Sequence, residues 1–172
     1  MAINFSNGTT LSTGSTGKVL QVQSTIKTDV DNGSFSGYNS ITVMSVNITP
    51  SSTSNKIYGW INCANDTGGN HNATAFIVTR NGSQILVGDA AGSRTRVTAG
   101  MEYDSSDHKM PVTSIMFVDD GHNSTNQVTY ALKMFDANGD GGQYYINRQR
   151  SDGNGAGTMR GTSQIVVMEV AA

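Results

Sequence analysis

Charge is scarce in this 172-residue chain: Asp, Glu, Lys and Arg make up 14% of it, and the formal net charge is −2. With no basic field to neutralise a phosphate backbone, nucleic acid is excluded as a partner. There is one cysteine, Cys63, so the chain has no internal disulfide and no cysteine-based metal cluster. Its neighbours Ile61, Asn62 and Ala64 place it at a strand end as a buried, inert thiol. No apolar run approaches the ~20 residues needed to cross a bilayer. The start, Met-Ala-Ile-Asn-Phe-Ser-Asn-Gly, has neither the positive n-region nor the apolar h-region of a secretory signal. Synthesis in a cytoplasm without membrane insertion is therefore expected. Without that signal, the Asn-X-Ser/Thr triplets at Asn72 and Asn123 carry no weight as glycosylation sites.

Sustained helical spacing and internal repeats are missing too. What the chain does have is a series of short, spaced apolar runs among Ser, Thr, Asn and Gly, which argues against disorder. They run from Val19 to Ile26, Ile41 to Ile48, Lys56 to Cys63, Thr74 to Arg80, Ser83 to Val87 and Arg94 to Thr98. Val112 to Val118, Gln127 to Phe135, Tyr144 to Arg148 and Gln164 to Val170 follow. Asn81-Gly82 between two of these runs is a hairpin signal, because both central residues of a type I′ turn need positive φ. Val128, Tyr130, Leu132 and Met134 share one strand face, and Ile57, Gly59 and Ile61 oppose Tyr58 and Trp60. Strand number and length predict an all-β protein, an antiparallel two-sheet jelly-roll sandwich spanning residues 18–172. Residues 1–17, with Ile3, Phe5 and Leu11 as isolated apolar anchors, read as an N-terminal docking arm.

The last strand is the most telling. In Ser163–Val170, Ile165, Val167 and Glu169 point one way while Val166, Met168 and Val170 point the other. A half-solvated strand would alternate apolar with polar. A strand apolar on both faces belongs inside a sandwich or against another copy of the chain.

Candidate chemistry is thin. Asp136-Ala-Asn138-Gly-Asp140-Gly141 matches the first half of an EF-hand calcium loop, but the twelfth position is Asn147 instead of Glu. Its strand-like flanks favour a Gly-rich hairpin loop, so Asp136, Asn138 and Asp140 are weak ligand candidates and no metal or other cofactor is expected. His71, His108 and His122 lie in separate polar loops without ligand spacing. Asp119-Asp120 and the group Glu102, Asp104, Asp107 could supply a glycosidase pair but read as solvated loop residues. Gly-X-Ser-X-Gly is absent, and Gly153-Asn-Gly-Ala-Gly157 precedes no helix that could hold an anion. A non-enzymatic protein is the expectation. Arg94 and Arg96, and separately Arg148, Arg150 and Arg160, suit either fixed hydrogen bonding across a subunit contact or a solvated loop edge. Among the aromatic residues, Tyr38 and Tyr103 lie in loops and suit an adhesive surface, whereas Tyr144 and Tyr145 lie in a strand.

One set of segments resembles a known group. Gly17-Lys-Val-Leu-Gln-Val22 opens the domain and Ile48-Thr-Pro-Ser-Ser-Thr-Ser-Asn-Lys-Ile57 joins the second and third strands. Arg80-Asn-Gly82, Gly88-Asp-Ala-Ala-Gly-Ser-Arg94, Tyr145-Ile-Asn-Arg148 and Ser163-Gln-Ile-Val-Val-Met-Glu169 follow. Together, over about residues 17 to 172, they resemble small virion proteins of tailed phages, especially marine and cyanobacterial ones. The resemblance implies a virion component with a fold similar to trimeric jelly rolls of the tumour-necrosis-factor type. In those, a C-terminal strand packs near the threefold axis. It implies no catalytic residue.

The expected function is accordingly a homotrimeric capsid decoration protein, held to the shell by the arm. The alternative is a tail- or neck-fibre knob that binds host polysaccharide through Tyr38 and Tyr103. A soluble carbohydrate- or calcium-binding module is the reading from another class. Interface candidates are Ile165, Val167, Met168, Tyr144 and Tyr145, with the face of the last strand that meets the partner left open.

Overall fold

A computed structural model describes residues 17–68, 74–101, 108–139 and 141–172, and the backbone pairing of 3–4 and 10–11. The expected docking-arm residue Phe5, the loop residue Tyr103 and the ligand candidate Asp140 lie outside the described residues, as do His71, Glu102, Asp104 and Asp107. No helix is long and apolar enough to cross a membrane.

The elements are β1 (Ile3–Asn4), β2 (Thr10–Leu11), β3 (Val19–Lys27), β4 (Asp31–Ser34), β5 (Ser40–Ile48) and β6 (Lys56–Gly68). They continue with β7 (Thr74–Arg80), β8 (Ser83–Ile85), β9 (Ala99–Gly100), β10 (Val112–Asp119), β11 (Val128–Asp136), β12 (Gln143–Ile146) and β13 (Ser163–Val170). One sheet runs β3-β13-β6-β12-β4, with β10 on the other side of β6; the second runs β5-β11-β7-β8, with β9 on β7. β1 and β2 pair through Ile3↔Leu11 and Asn4↔Thr10. All pairings are antiparallel, and the protein is an all-β two-sheet sandwich of the jelly-roll kind.

Period-two alternation explains the core. Ile57 and Ile61 on β6, Ile115 and Phe117 on β10, and Ile165 and Val167 on β13 turn inward from the first sheet. Val46 and Ile48, Phe76 and Val78, and Val128, Tyr130, Leu132 and Met134 meet them from the second. Each such side chain contributes roughly 1.5–3 kcal/mol by leaving water. Gly59 is demanded by packing, since a Cβ there would lie 2.1 Å from Phe117 Cε1. Asn81 and Gly82 have φ of 49° and 84°, the two positive values that the β7–β8 hairpin turn requires.

Several sequence expectations are corrected. The third run continues past Cys63 to Gly68, so Cys63 lies inside β6 and not at a strand end, and Asp119 is a buried residue of β10, not a solvated loop residue. Arg94–Thr98 is not a strand; it is tied to its surroundings singly, by Arg96 Nε donating to Gly88 O and Thr98 N donating to Phe76 O, and the short strand falls at β9. The run from Ser83 ends at Ile85, because Leu86 turns to φ 55°. The run from Tyr144 ends at Ile146, because Asn147 takes φ 60° and buries its side chain. Asn147 donates to Lys27 O and Asp29 O and accepts from Ser163 Oγ, stitching three segments together.

Candidate functional site

The ionisable groups of the interior serve the fold. Glu169, on β13 and fully buried, accepts hydrogen bonds from Gln21 Nε2, Asn55 Nδ2, Ser51 N and Ser51 Oγ at 2.6–2.7 Å. Burial raises its pKa, but donation by Gln21, Asn55 and Ser51 outweighs that and holds it at about 2, against an ordinary 4.5. Asp119 is buried where Arg80 Nη1 (2.6 Å) and Gly121 N (3.0 Å) reach Oδ1, and the Tyr130 hydroxyl (2.6 Å) reaches Oδ2. Burial raises the Asp119 pKa, yet the Tyr130 and Arg80 hydrogen bonds leave it below the usual carboxylate value. Tyr130 is displaced upward, chiefly by burial and then by Asp119. Burial also pushes the Cys63 thiol up to about 11, the state of an inert cysteine.

The other candidates resolve similarly. Asp136 spends its carboxylate on its own loop, accepting from Asn138 N, Gly139 N and Gly141 N at 3.0–3.1 Å. Among the described residues no group of three His, Cys, Asp or Glu side chains is placed to hold a metal. His122 is buried, with Nε2 2.9 Å from Asn55 O and Nδ1 near Ser124. Among the described residues lining a cleft of about 390 Å³ beside β6 there is one carboxylate, Asp66, whose oxygens accept from Thr67 N and Arg150 N. Arg148 donates to Gln149 O, Arg150 O and Asn32 Oδ1, pairs with Asp152, and lies 5.2 Å over the Tyr145 ring. Arg160 reaches the same Asp152 at 2.5 Å, so these arginines hold loops of one chain together.

The interface candidates divide. Ile165 and Val167 lie wholly inside the sandwich, closed off by β3 and β6 on either side and the second sheet in front. Tyr144 packs on Phe35 at 5.3 Å, and Tyr145 donates to Gln143, both on β12 at the far end of the sheet. Met168 lies on the opposite side of β13, part of a surface that sequence reasoning did not assemble. Register places Val22, Met168, Tyr58 and Val118 in one row across β3, β13, β6 and β10, and Val166, Trp60 and Met116 in the next. Met116 is 65% exposed, Val118 52% and Val22 51%, and Trp60 is also open to solvent. Large exposed apolar side chains grouped on one face are the informative exception on a protein surface. The signal for it was present in the apolar-on-both-faces reading of β13, but Trp60 and Met116 join it only through strand pairing.

No protein-family model matches the chain, and no curated protein matches it. Among solved structures it is similar to a chain from the structure of infectious bursal disease virus Gt strain, with a TM-score of 0.49 and 14% identity over 100% of this chain and 43% of that one. It is also similar to infectious bursal virus derived T=1 particles (TM-score 0.48, 15% identity, 100% and 41% covered). A third likeness is to the infectious bursal disease virus VP2 subviral particle (TM-score 0.45, 17% identity, 100% and 43% covered). The chain thus spans less than half the length of these solved chains.

Proposed function

We propose that this chain is a structural component of a phage virion and, within that class, a trimeric capsid decoration protein. The observation that carries the reading is the outer face of β3, β13, β6 and β10, apolar and nearly uncharged on a sandwich that has its own buried apolar core. Such a surface suits lasting contact with protein, and the polar interior is committed to holding the fold together. The sequence resemblance over about residues 17 to 172 supports the virion as the setting. Residues 1–17, with Ile3, Phe5 and Leu11, would then grip the shell; they join the sandwich where Gly17 N donates to Ala171 O at 3.0 Å. The proposed role is non-enzymatic.

Gel densitometry of purified virions tests this. Hundreds of copies per particle are expected of a decoration protein; absence of the chain from particles would overturn the virion reading. A dozen or so copies would favour the second reading, a tail- or neck-fibre knob that binds host polysaccharide. Tyr38 favours that alternative, since the residue is 71% exposed and its ring lies against Gly139, where a Cβ would come within 2.8 Å of it.

A further inference from the structure

We infer that the outer face of β3, β13, β6 and β10 is where a second copy of this chain packs, with Trp60 and Met168 at the centre of the contact. The face has the anatomy of a protein interface. Its two apolar rows are bordered by a polar row, Gln164–Asn62–Ser114, in which Ser114 Oγ donates to Asn62 Oδ1 at 2.6 Å. Lys56, opposite Val170, closes the other end. An apolar centre holding Trp, Tyr and Met inside a polar rim is the composition that carries most binding energy.

Charge argues for a copy as the occupant. Asp66 shares this side of β6 but is buried, and among the exposed described residues on the outer face of these four strands Lys56 is the sole charged side chain, standing at the margin. A partner selected by opposite charge would find nothing to engage. Copies arranged around a threefold axis each bring this same nearly uncharged face towards their neighbours, so no like charges are forced together in the contact centre. Area agrees: four strands ~4.8 Å apart, each about eight residues at ~3.3 Å, project to roughly 500 Å². The accessible area of a corrugated face exceeds its projection, which brings it towards the ~800 Å² per partner of a standard stable interface.

The sheet edge points the same way. Among the described residues β3 pairs in a sheet with β13 alone, which leaves its other side outside their ladders, beside the exposed Val19, Val22 and Ile26. A long apolar edge next to an apolar face invites open-ended association unless a closed symmetric assembly covers it. The inference deepens the assembly reading above and rests on it only for the purpose of the face, since self-association in solution is measurable without virions.

Sedimentation velocity on the full chain is the test. The wild type is expected as a discrete oligomer at micromolar concentration. Met116→Glu and Val118→Glu change exposed positions and should keep the far-UV spectrum of the wild-type chain while weakening association by on the order of 100-fold. Val87→Glu, at an apolar exposed residue outside these strands, should sediment as the wild type does. A monomeric wild type overturns the inference, as does an oligomer that survives both charges in one chain. A monomer that associates once residues 1–16 are deleted also overturns it, because the chain's own N-terminal segment would then be the occupant. An oligomer that never enters particles instead sinks the virion reading and leaves the inference standing.

Discussion

Asn55 Nδ2 donates to Glu169 Oε1 at 2.6 Å, binding the loop before β6 to the last strand of the chain. Ser51 and Gln21 donate to the same carboxylate, and His122 Nε2 lies 2.9 Å from the carbonyl of Asn55. A buried anion is thereby balanced by neutral donors alone, with no cation among the groups that bond it.

The consequence is a stability that depends on acid pH. Because the folded pKa of Glu169 is depressed to about 2 from 4.5, its contribution is fully present above pH 4.5 and is lost as pH falls towards 2. Thermal melts across that window should show wild-type stability dropping with pH. Glu169→Gln, which turns an amide donor towards existing donors, should cost about 2–3 kcal/mol at neutral pH and flatten the acid dependence. An unchanged slope in the variant would place the acid transition elsewhere.

Gly59→Ala should destabilise the sandwich by about 1–3 kcal/mol, because the added methyl must displace the Phe117 ring lying across β6. Denaturant titration measures this. Combining it with Phe117→Leu should show a coupling, the double variant losing less than the two single losses added together.

The Asp119 cluster makes a second pair prediction. Tyr130→Phe removes the hydroxyl 2.6 Å from Asp119 Oδ2 without changing the ring's packing, and should cost about 1–3 kcal/mol. Arg80→Met, in place of the Asp119 ion pair, should cost more in the wild type than in a chain carrying Asp119→Asn, as unfolding free energies would reveal.

Calcium should leave the melting temperature unchanged, and so should a chelator, because Asp136 already serves three backbone amides. Asp136→Ala should lower the melting temperature equally with and without calcium. A calcium-dependent rise in the wild type would refute that assignment.

Much of the fold was legible in the chain because period-two alternation is a local property. β3, β5, β7, β10 and β11 fall within a residue or so of the apolar runs, and Asn81-Gly82 turns as its chemistry demands. β4 was not legible: Asp31-Asn-Gly-Ser34 has the composition of a turn and becomes a strand because Gly33 admits the Tyr144 ring of its partner β12. The extension of β6 to Gly68 was missed for a similar reason, its last residues Asn65-Asp-Thr-Gly68 being polar and paired with β12. Asn147 looked like one more residue of the run from Tyr144 to Arg148, and its joining of Lys27, Asp29 and Ser163 depends on contacts remote in sequence.

The last strand marks the boundary between the two sources of information. Its residues alone determined that Ser163–Val170 is apolar on both faces and so central or interfacial, since alternation assigns side chains to two sides whatever surrounds them. Which side lies inside was decided by tertiary structure: pairing β13 between β3 and β6, under the second sheet, places Ile165 and Val167 in the core. The same pairing leaves Val166 and Met168 outward, beside Trp60 and Tyr58. A surface made from four strands far apart in the chain exists only once register is set, because register depends on long-range pairing that no local pattern contains.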